Sequence, residues 1–365
     1  MKINKLEIHN FRNYEKLKLD FNNNINIFIG NNGEGKTNIL ESIYVLAITK
    51  SHRAYIDKNL ITNNKSAMKI NGKIETNNGV KNLELVMNPK GKRVSINKIV
   101  SKRVSDYISN MSVVLFSPDD LELVKGSPSV RRKFLNIEIG QLDNKYLYYL
   151  NDYNELLKTR NEYLKTVNFD SVNKEYVDIL NNQLCDKASY IYKYRIDYIN
   201  NLNKYMPKIS KSISDKIVNI EYLNNIDTDN YENIKEVLLN KLNSNLKREI
   251  LIGSTLYGPH KDDFLIHIDN LEAREYGSQG QQRMCVLCIK FSELELYKEK
   301  KNEYPILLLD DIFSELDNSK KNAIVKYLKN NIQVFITSTD INDIDDKILK
   351  DSKVYTISDG NIEMN

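Results

Sequence analysis

A glycine-rich octapeptide near the start of the chain carries the clearest chemical pattern. It reads GNNGEGKT from Gly30 to Thr37 and matches the pattern G-x-x-x-x-G-K-[ST] at every fixed position. Glycines let backbone N–H groups turn toward phosphate, and the helix that follows adds the positive end of its dipole. The predicted nucleotide-binding residues of this segment are Gly30, Asn31, Asn32, Gly33, Glu34, Gly35, Lys36, Thr37 and Asn38. Lys36 would meet the β and γ phosphates, and Thr37 would ligate Mg²⁺.

Two adjacent carboxylates follow an apolar segment near the other end of the chain. Residues 306–309 read ILLL and lead directly into Asp310 and Asp311. A nucleotide site needs a second magnesium anchor, and Asp310 would hold the metal through water. Asp311 would polarise the water that attacks the γ phosphate, which makes it the predicted catalytic carboxylate beside Lys36. Acidic residues also end strands without any catalytic role, but the complete phosphate-binding loop favours the catalytic interpretation.

A third polar segment runs from Tyr276 to Arg283 and reads YGSQGQQR. Its serine, glycine and glutamines precede a helix that we expect to begin near Met284, so it can form a second anion-binding helix start. An ordinary helix cap explains the same residues equally well.

The pair Cys285 and Cys288 has the C-x-x-C spacing found in zinc sites. No second such pair and no histidine pair completes four ligands. One helical turn places both thiols on one side of a helix among apolar neighbours. The pattern therefore favours cysteines packed in the core.

Short strands must position the first loop. Alternation at 3–8, the apolar run at 25–29 and segments at 69–74, 81–86 and 93–96 predict strands, with hairpins turned by Asn-Gly pairs. Continuous hydrophobicity at 305–309 and 333–337 indicates strands buried on both faces, as in a parallel sheet. A further strand is expected at 264–268.

The middle of the chain has a helical period. Apolar residues at spacings of three and four between Tyr146 and Leu157 form one stripe of an amphipathic helix. Further helices are expected at about 172–203 and 230–247. We therefore predict an α/β fold in which residues 1–117 and 284–365 form one discontinuous ATPase domain. Residues 118–283 would form an inserted helical lobe.

Composition excludes several classes of protein. The 365 residues suggest about two domains, and 41% hydrophobic with 28% charged residues are ordinary globular values, which excludes wholesale disorder. A net charge of +4 means that any DNA site must be a local basic patch. Three cysteines favour reduced thiols. Without a signal peptide or an uncharged apolar run of membrane-spanning length, we expect a cytoplasmic protein with no membrane contact.

Together the motifs GNNGEGKT, GSQGQQR and LLLDDIFSELD resemble those of ABC-type ATPases of the SMC class, and within it the RecF family of bacterial recombination mediators. Supporting matches lie at Asn10–Tyr14, Lys50–Arg53, Val113–Asn136 and Tyr257–Asp263. The matches span nearly the whole chain. The resemblance implies ATP and Mg²⁺ as cofactors, gapped, single-stranded and duplex DNA as partners, and cooperation with RecO, RecR and RecA.

The resemblance also assigns roles to residues outside the first loop. Ser278, Gly280 and Gln281 would belong to the ABC signature and contact the γ phosphate of a nucleotide held by a second subunit. The site would then be complete only in an ATP-dependent homodimer. Asp317 would lie in the dimer-contact loop, and Arg12 would lie near the nucleotide.

Two positions depart from the general ABC pattern. The catalytic position usually carries glutamate, whereas Asp311 is one methylene shorter, which should favour slow turnover. The segment that usually holds the switch histidine has none, and Ser338 or Thr339 could hydrogen-bond the γ phosphate without carrying a proton as imidazole does. The region of the Q-loop corresponds to 117–120, without a glutamine.

Three basic stretches are candidate DNA contacts, namely Arg131–Lys133, Lys187–Arg195 with its tyrosines, and Lys298–Lys301. Solvated helix faces would show the same composition. The favoured function is an ATP-gated DNA clamp of recombinational repair and replication that hydrolyses ATP slowly. A transport motor of the ABC class and a non-hydrolysing DNA scaffold are the alternatives.

Overall fold

Each of the two units of the chain is assembled from separate sequence segments in the computed structural model. The first unit comprises Met1–Leu121, Lys208–Lys216 and Val286–Asn365, and the second comprises Glu122–Pro207 and Ile217–Cys285. The structure describes residues 1–54, 56–226, 228, 232–315, 320–321, 323–325, 332–358 and 360–364. The predicted division into an ATPase domain and a helical lobe stays a prediction, and the structure adds 208–216 to the unit built from both chain ends.

The strands form three sheets. In chain order they are β1 (Lys2–Phe11), β2 (Tyr14–Asp20), β3 (Ile25–Ile29), β4 (Met68–Thr76), β5 (Gly79–Asn88), β6 (Gly91–Ile96), β7 (Ile99–Val100), β8 (Val113–Phe116), β9 (Val218–Leu223), β10 (Asp263–Ile268), β11 (Leu271–Glu272), β12 (Ile306–Asp310), β13 (Val334–Ser338), β14 (Ser352–Ser358) and β15 (Asn361–Met364). The sheet orders are β2-β1-β4-β5-β6-β7, β15-β14-β3-β13-β12-β8 and β11-β10-β9. The first two sheets belong to the first unit and the third to the second unit.

The helices alternate with these strands and dominate the second unit. They are α1 (Lys36–Ile48), α2 (Val104–Ile108), α3 (Glu122–Lys125), α4 (Pro128–Leu142), α5 (Asn144–Thr166), α6 (Lys174–Ile213), α7 (Ile234–Ser244), α8 (Leu246–Ile252), α9 (Ala273–Tyr276), α10 (Gln279–Lys301) and α11 (Asp346–Leu349). Among the residues that the structure describes, none of these helices has the length and apolarity that crossing a bilayer requires.

The sheet that contains β3, β12 and β13 positions the predicted site. From β14 to β8 its neighbouring strands are parallel, and β12 and β13 are buried along their whole length, as their continuous apolar runs predict. The register pairs Asp310 with Thr337 and Ser338 with Ile29. Because parallel strands end at the same edge of a sheet, the loop after Ile29 and the carboxylates after Leu309 meet at that edge.

The antiparallel sheet shows the predicted hairpins, with one difference. Gly79, at φ +103°, follows Asn78 in the turn between β4 and β5, where the sequence predicts an Asn-Gly turn. The pair Asn71 and Gly72 instead lies within β4. A side chain at Gly72 would collide with Leu46 of α1, so this glycine allows the helix to pack closely on the sheet.

The structure corrects three helix boundaries and adds strands. The helix expected at 172–203 is α6, which ends at Ile213, and the strands that were not expected are β2, β7, β8, β9, β11, β14 and β15. The helix expected at 230–247 is two helices, α7 and α8, which are separated at Asn245. The helix expected near Met284 begins at Gln279, so the predicted start is wrong by more than one turn. Strand β9, which the sequence analysis does not predict, pairs with β10. Its sequence, VNIEYL, alternates apolar and polar residues and fits a strand, but it is short and lies beside a segment rich in asparagine.

Buried charged side chains hold the second unit together. The Arg160 guanidinium is 1% exposed and donates to Glu249 at 2.7 Å and to Asn181 at 2.7 Å. Arg195 donates to the carbonyl of Pro259 at 2.5 Å and lies 3.5 Å from Asp262. Removing one partner of such a pair leaves an uncompensated buried charge, so these contacts constrain the fold strongly.

His260 completes this interior as a neutral imidazole. Its Nε2 lies 3.1 Å from the carbonyl of Thr255, which only accepts, so Nε2 carries the hydrogen. Its Nδ1 therefore accepts from the Tyr153 hydroxyl at 2.6 Å. Burial lowers the pKa of His260 to about 4, helped by the charges of Lys261 and Arg132 and opposed by the Thr255 carbonyl.

We expect acid to destabilise the wild-type chain more than the variant His260→Gln. Because the folded-state pKa of His260 is about 4 and its usual value is 6.5, the unfolded chain takes up the proton first as pH falls through that interval. The loss should reach about 2 kcal/mol by pH 5. Urea unfolding of both proteins at pH 7.5 and pH 5 measures it.

Asp262 must be considered in the same experiment, because burial raises its pKa to about 6 and its protonation acts in the opposite direction. Since Asp262 is present in both proteins, its contribution cancels in the difference. An identical change of unfolding free energy with pH in both proteins would contradict the assignment of a neutral, acid-sensitive His260.

Candidate nucleotide-binding site

The glycine-rich loop connects β3 to α1 in the first unit. Gly33 has φ +89° and Gly35 has φ +110°, which are backbone conformations that favour glycine over any residue with a Cβ. Gly35 is the N-cap residue of α1, which begins at Lys36. The loop therefore ends at the positive end of a thirteen-residue helix, as phosphate binding requires.

The turn between β1 and β2 braces this loop. The Asn13 side chain donates to the carbonyl of Glu34 at 3.3 Å and accepts from the Asn38 side chain at 2.8 Å. The Tyr14 hydroxyl donates to the carbonyl of Gly35 at 3.2 Å. Both contacts to the loop backbone use carbonyl oxygens rather than N–H groups, so the brace holds the loop through atoms that a phosphate does not need.

Lys36 lies across the mouth of the loop. Its Nζ donates to the carbonyls of Gly30 at 2.5 Å and Asn31 at 2.8 Å. Burial lowers the pKa of Lys36, and the negative charges of Asp311, Glu34 and Asp310 oppose that shift. The ammonium therefore lies among loop carbonyls and near carboxylates. The phosphates of a nucleotide bound at this loop would add further negative charge there.

Asp310 links the two predicted halves of the site. Its Oδ1 accepts from the hydroxyl of Thr37 at 2.9 Å across 273 positions of sequence, and from the hydroxyl of Thr337 at 2.8 Å. A threonine hydroxyl beside a carboxylate supplies the oxygen ligands that Mg²⁺ prefers. The pair therefore fits a magnesium ion, which would supply charge neutralisation for the phosphates of a bound nucleotide.

Asp311 directly follows the strand and has a left-handed backbone, with φ +53°. Its N–H donates to Thr337 Oγ1 at 2.9 Å. Its negative charge opposes the lowering of the Lys36 pKa by burial. The chain continues into a single helical turn at Phe313–Glu315, and Asp317 lies outside the described residues.

Arg12 binds protein groups rather than extending freely toward the loop. Its guanidinium makes two hydrogen bonds to Glu41 of α1, at 2.8 and 2.7 Å, and a third to the carbonyl of Asn59 at 3.1 Å. Glu41 is fully buried and also accepts from Ser51 at 2.5 Å. Burial alone would raise the pKa of Glu41, but the hydrogen bonds from Arg12 and Ser51 hold it below its usual value. The sequence analysis missed Glu41, since nothing in its local pattern marks it.

The sequence analysis also did not assign His52, the residue after Ser51, to the nucleotide site. Its ring packs edge to face on Tyr44 of α1, with centroids 5.2 Å apart. Burial lowers the pKa of His52, while the charges of Glu41, Asp310 and Asp120 oppose the shift. The imidazole therefore lies within electrostatic range of the predicted metal ligand.

The signature segment starts helix α10 in the second unit. Ser278 Oγ accepts from the N–H of Gln281 at 3.3 Å, and the Gln281 side chain accepts from the N–H of Ser278 at 2.8 Å. This reciprocal pair is a capping box. The helix cap that the sequence analysis gave as an alternative is therefore present. Ser278 and Gly280 are exposed to solvent.

The structure changes the set of candidate DNA contacts. Arg131 is 3% exposed and donates to both oxygens of Asp263 at 2.6 and 2.8 Å. Because this guanidinium is buried and paired, the prediction that it contacts DNA phosphates is wrong. Arg195 is also buried, and its guanidinium donates to the carbonyl of Pro259. Lys133 and Lys193 are exposed, as are the lysines at 298 and 300.

The C-x-x-C pair is part of the core. Both thiols, Cys285 and Cys288, are fully buried on α10. Burial raises the pKa of Cys285 to about 12, which keeps its thiol protonated. The interpretation as packed core cysteines is confirmed.

Comparison with known protein families matches residues 2–361 to the RecF/RecN/SMC N terminal domain. A protein of Streptococcus agalactiae serotype Ia, named DNA replication and repair protein RecF, is 42% identical over 368 residues, covering 100% of this chain and 98% of its own length. A protein of Staphylococcus carnosus with the same name is 41% identical over 372 residues, covering 99% of this chain and all of its own length.

Solved structures give the same result for the fold. A structure described as the recombination mediator protein RecF with ATP in the RecFOR pathway superposes with a TM-score of 0.92 at 33% identity, covering 100% of this chain and 97% of its own. An Smc head domain from Pyrococcus furiosus superposes with a TM-score of 0.56 at 16% identity, covering 100% of this chain and 95% of its own, which shows a shared fold only.

We expect Gly35→Ala to weaken nucleotide binding at least tenfold. A Cβ at this position would meet Asn13 Nδ2 at 2.5 Å and the Tyr14 hydroxyl at 2.7 Å, so the brace must move. The left-handed backbone adds a strain of about 1–2 kcal/mol. Titration with a fluorescent ATP analogue measures the loss.

Gly79→Ala is the matched control. Gly79 has φ +103°, but among the described residues beyond its chain neighbours no heavy atom lies within 4 Å of the place that a Cβ would take. The variant carries the same kind of backbone strain away from the loop and should leave nucleotide affinity unchanged. Equal affinities for Gly35→Ala and the wild type would refute the bracing of the loop by the first turn.

Proposed function

Because the chain belongs to the RecF family of SMC-type ATPases, we propose that it binds ATP and DNA in replication and recombinational repair. The observation that carries this proposal is the hydrogen bond between Thr37 and Asp310, which brings the phosphate-binding loop to the acidic end of β12. The ATP-bound structure of a RecF that is 33% identical to this chain supports ATP as the nucleotide.

The chain's own groups divide the chemistry between binding and hydrolysis. The loop N–H groups and the start of α1 bind the phosphates, and Lys36 leaves its carbonyl partners to meet their charge. Thr37 and Asp310 are the residues that would hold Mg²⁺, which would neutralise phosphate charge. Asp311 accepts a proton from the attacking water, and its short side chain makes turnover slow.

The second half of each site comes from another copy of the chain. Ser278 and Gln281 cap an exposed helix start that also contains Gly280 and that can donate to the γ phosphate held by the partner subunit. Asp317 is assigned to the dimer contact by resemblance alone. ATP thereby acts as the bridge that converts monomers into a homodimer.

The dimer is a clamp on gapped, single-stranded or duplex DNA, which it grips through phosphates. Two solved relatives are described as the recombination mediator protein RecF in the RecFOR pathway, which supports cooperation with RecO and RecR. Cooperation with RecA in loading recombinase, in the cytoplasm, is assigned by resemblance alone. A net charge of only +4 requires that dimer closure gather basic residues onto one stretch of DNA. Exposed lysines such as Lys133 and Lys193 are better candidates than the buried Arg131.

A non-hydrolysing DNA scaffold is the second candidate. Aspartate at position 311 and the absence of a histidine from 336–340 favour it, because both weaken activation of water. Ser338, which was a candidate for the switch position, donates to the carbonyl of Asp340 at 2.9 Å instead. Measured ATP turnover in the presence of DNA separates the two functions.

We expect ATP to convert the wild-type monomer to a dimer that binds gapped DNA. Lys36→Met should bind little ATP, whereas Ser278→Arg should bind ATP and remain monomeric, since its bulk and charge block the partner's nucleotide. Light scattering after size exclusion measures the mass. Fluorescence anisotropy at several salt concentrations measures DNA binding. Each neutralised phosphate should add about 0.9 to the slope of log affinity against log salt concentration.

Ser278→Ala controls for the lost helix cap, because it removes the hydroxyl that accepts from Gln281 without adding bulk. It should dimerise more readily than Ser278→Arg. Normal dimerisation of Ser278→Arg would refute the shared site. DNA affinity that is unchanged by ATP, with the dimer present, would refute the clamp.

We expect Asp311→Asn to lower the rate of ATP hydrolysis about a hundredfold. ATP-dependent DNA binding should persist, with an equal or longer lifetime of the complex. The amide keeps the shape of the side chain but cannot accept the proton of the attacking water. Asp310→Asn should instead raise the Mg²⁺ concentration needed for nucleotide binding. Phosphate release assays with and without DNA measure turnover, and equal rates for Asp311→Asn and the wild type would remove Asp311 from the mechanism.

A further inference from the structure

A single hydroxyl of Thr337 contacts both acidic residues of the site, the carboxylate of Asp310 and the main chain of Asp311. It is the fourth residue of β13, fully buried and directly opposite Asp310 in the strand register. Its Oγ1 donates to Asp310 Oδ1 at 2.8 Å and accepts from the N–H of Asp311 at 2.9 Å. The sequence pattern points to Ser338 and Thr339 instead.

The direction of each hydrogen bond follows from chemistry. The N–H of Asp311 can only donate, so Thr337 Oγ1 must accept from it. The hydroxyl hydrogen is then available for the carboxylate of Asp310. A β-branched side chain in a buried strand has little χ1 freedom, which keeps the oxygen of Thr337 in this position.

The bond to Asp311 matters because of the backbone conformation there. A φ of +53° is costly for a residue with a Cβ, and an acceptor for its N–H helps to hold it. That backbone conformation determines where the Asp311 side chain leaves the strand. Thr337 therefore acts on Asp311 through the main chain, without contact with the reacting atoms.

The bond to Asp310 has a different consequence. Asp310 Oδ1 accepts from Thr37 and Thr337 together, at 2.9 and 2.8 Å. If the hydroxyl of Thr37 were to serve Mg²⁺, Thr337 would be the remaining hydroxyl that orients the Asp310 carboxylate. The neighbours offer no substitute, because Ser338 bonds Asp340 and Thr339 is exposed.

We propose that Thr337 is a positioning residue that aligns Asp310 for Mg²⁺ and Asp311 for the attacking water. The proposal rests on the ATPase function proposed above. It predicts that one hydroxyl controls two separable quantities, namely the Mg²⁺ dependence of ATP binding and the rate constant of hydrolysis. A residue that only filled the core would change the stability of the fold and neither of these.

The test compares Thr337→Val, which removes the hydroxyl and keeps the shape, with Thr337→Ser, which keeps the hydroxyl. For Thr337→Val we expect kcat to fall about tenfold or more and the Mg²⁺ concentration for half-maximal binding of a fluorescent ATP analogue to rise about tenfold. Affinity for the analogue at saturating Mg²⁺ should change less than threefold. Thr337→Ser should stay within about threefold of the wild type in all three. If Thr337→Val does not fold, Thr337→Ala replaces it in the comparison with Thr337→Ser.

Ser292→Ala is the matched control for losing a buried hydroxyl. Ser292 is fully buried on α10 and donates to the carbonyl of Cys288 at 2.7 Å, within its own helix. We expect this variant to leave kcat and the Mg²⁺ titration unchanged.

The outcomes separate this proposal from the function on which it rests. Wild-type Mg²⁺ dependence and kcat in Thr337→Val, with a wild type that hydrolyses ATP, would overturn the role of Thr337 alone. Equal losses in Thr337→Val and Thr337→Ser would also overturn it, since the hydroxyl would then be irrelevant. A wild-type protein that binds no ATP would instead overturn the proposed function.

Discussion

The hydrogen bond between Thr37 and Asp310 is the contact on which the candidate site depends. It joins residues 273 positions apart, and it exists because β3, β12 and β13 are parallel and end at one edge of a buried sheet. Parallel strands need long crossover connections, which is why so much chain can lie between the two halves of one site. The apolar interior of this sheet therefore contributes to the chemistry by fixing where two polar ends meet.

Around this contact, several charged and polar side chains are held by other protein groups. Arg12 binds Glu41, Asn13 and Tyr14 brace the loop through its carbonyls, and Thr337 orients the acidic pair. Such preorganisation lowers the reorganisation that nucleotide binding requires. It also explains why the first turn of the chain matters to a loop that lies beyond two further strands in the sequence.

The second unit shows the limit of reading function from basic residues. Arg131 and Arg195 lie in stretches whose composition suits DNA, yet both are buried and paired with carboxylates or carbonyls. A buried arginine stabilises the fold through several hydrogen bonds and is costly to unpair. In the function proposed above, contact with DNA would fall to exposed lysines, and their combined effect would depend on how a dimer gathers them.

The sequence by itself determined the features that depend on short spacings. The phosphate-binding loop, the strand leading to Asp310, the buried strands and the stripe of α5 follow from patterns within one element, because backbone geometry repeats every two or 3.6 residues. The tertiary structure alone decided the partners: Thr337 for Asp310, Glu41 for Arg12, and Asp263 for Arg131. Those pairings depend on which distant surfaces pack together, and no local spacing encodes that. The same reason explains why β9 and the start of α10 were misjudged, since a strand partner and a capping side chain, rather than periodicity, define them.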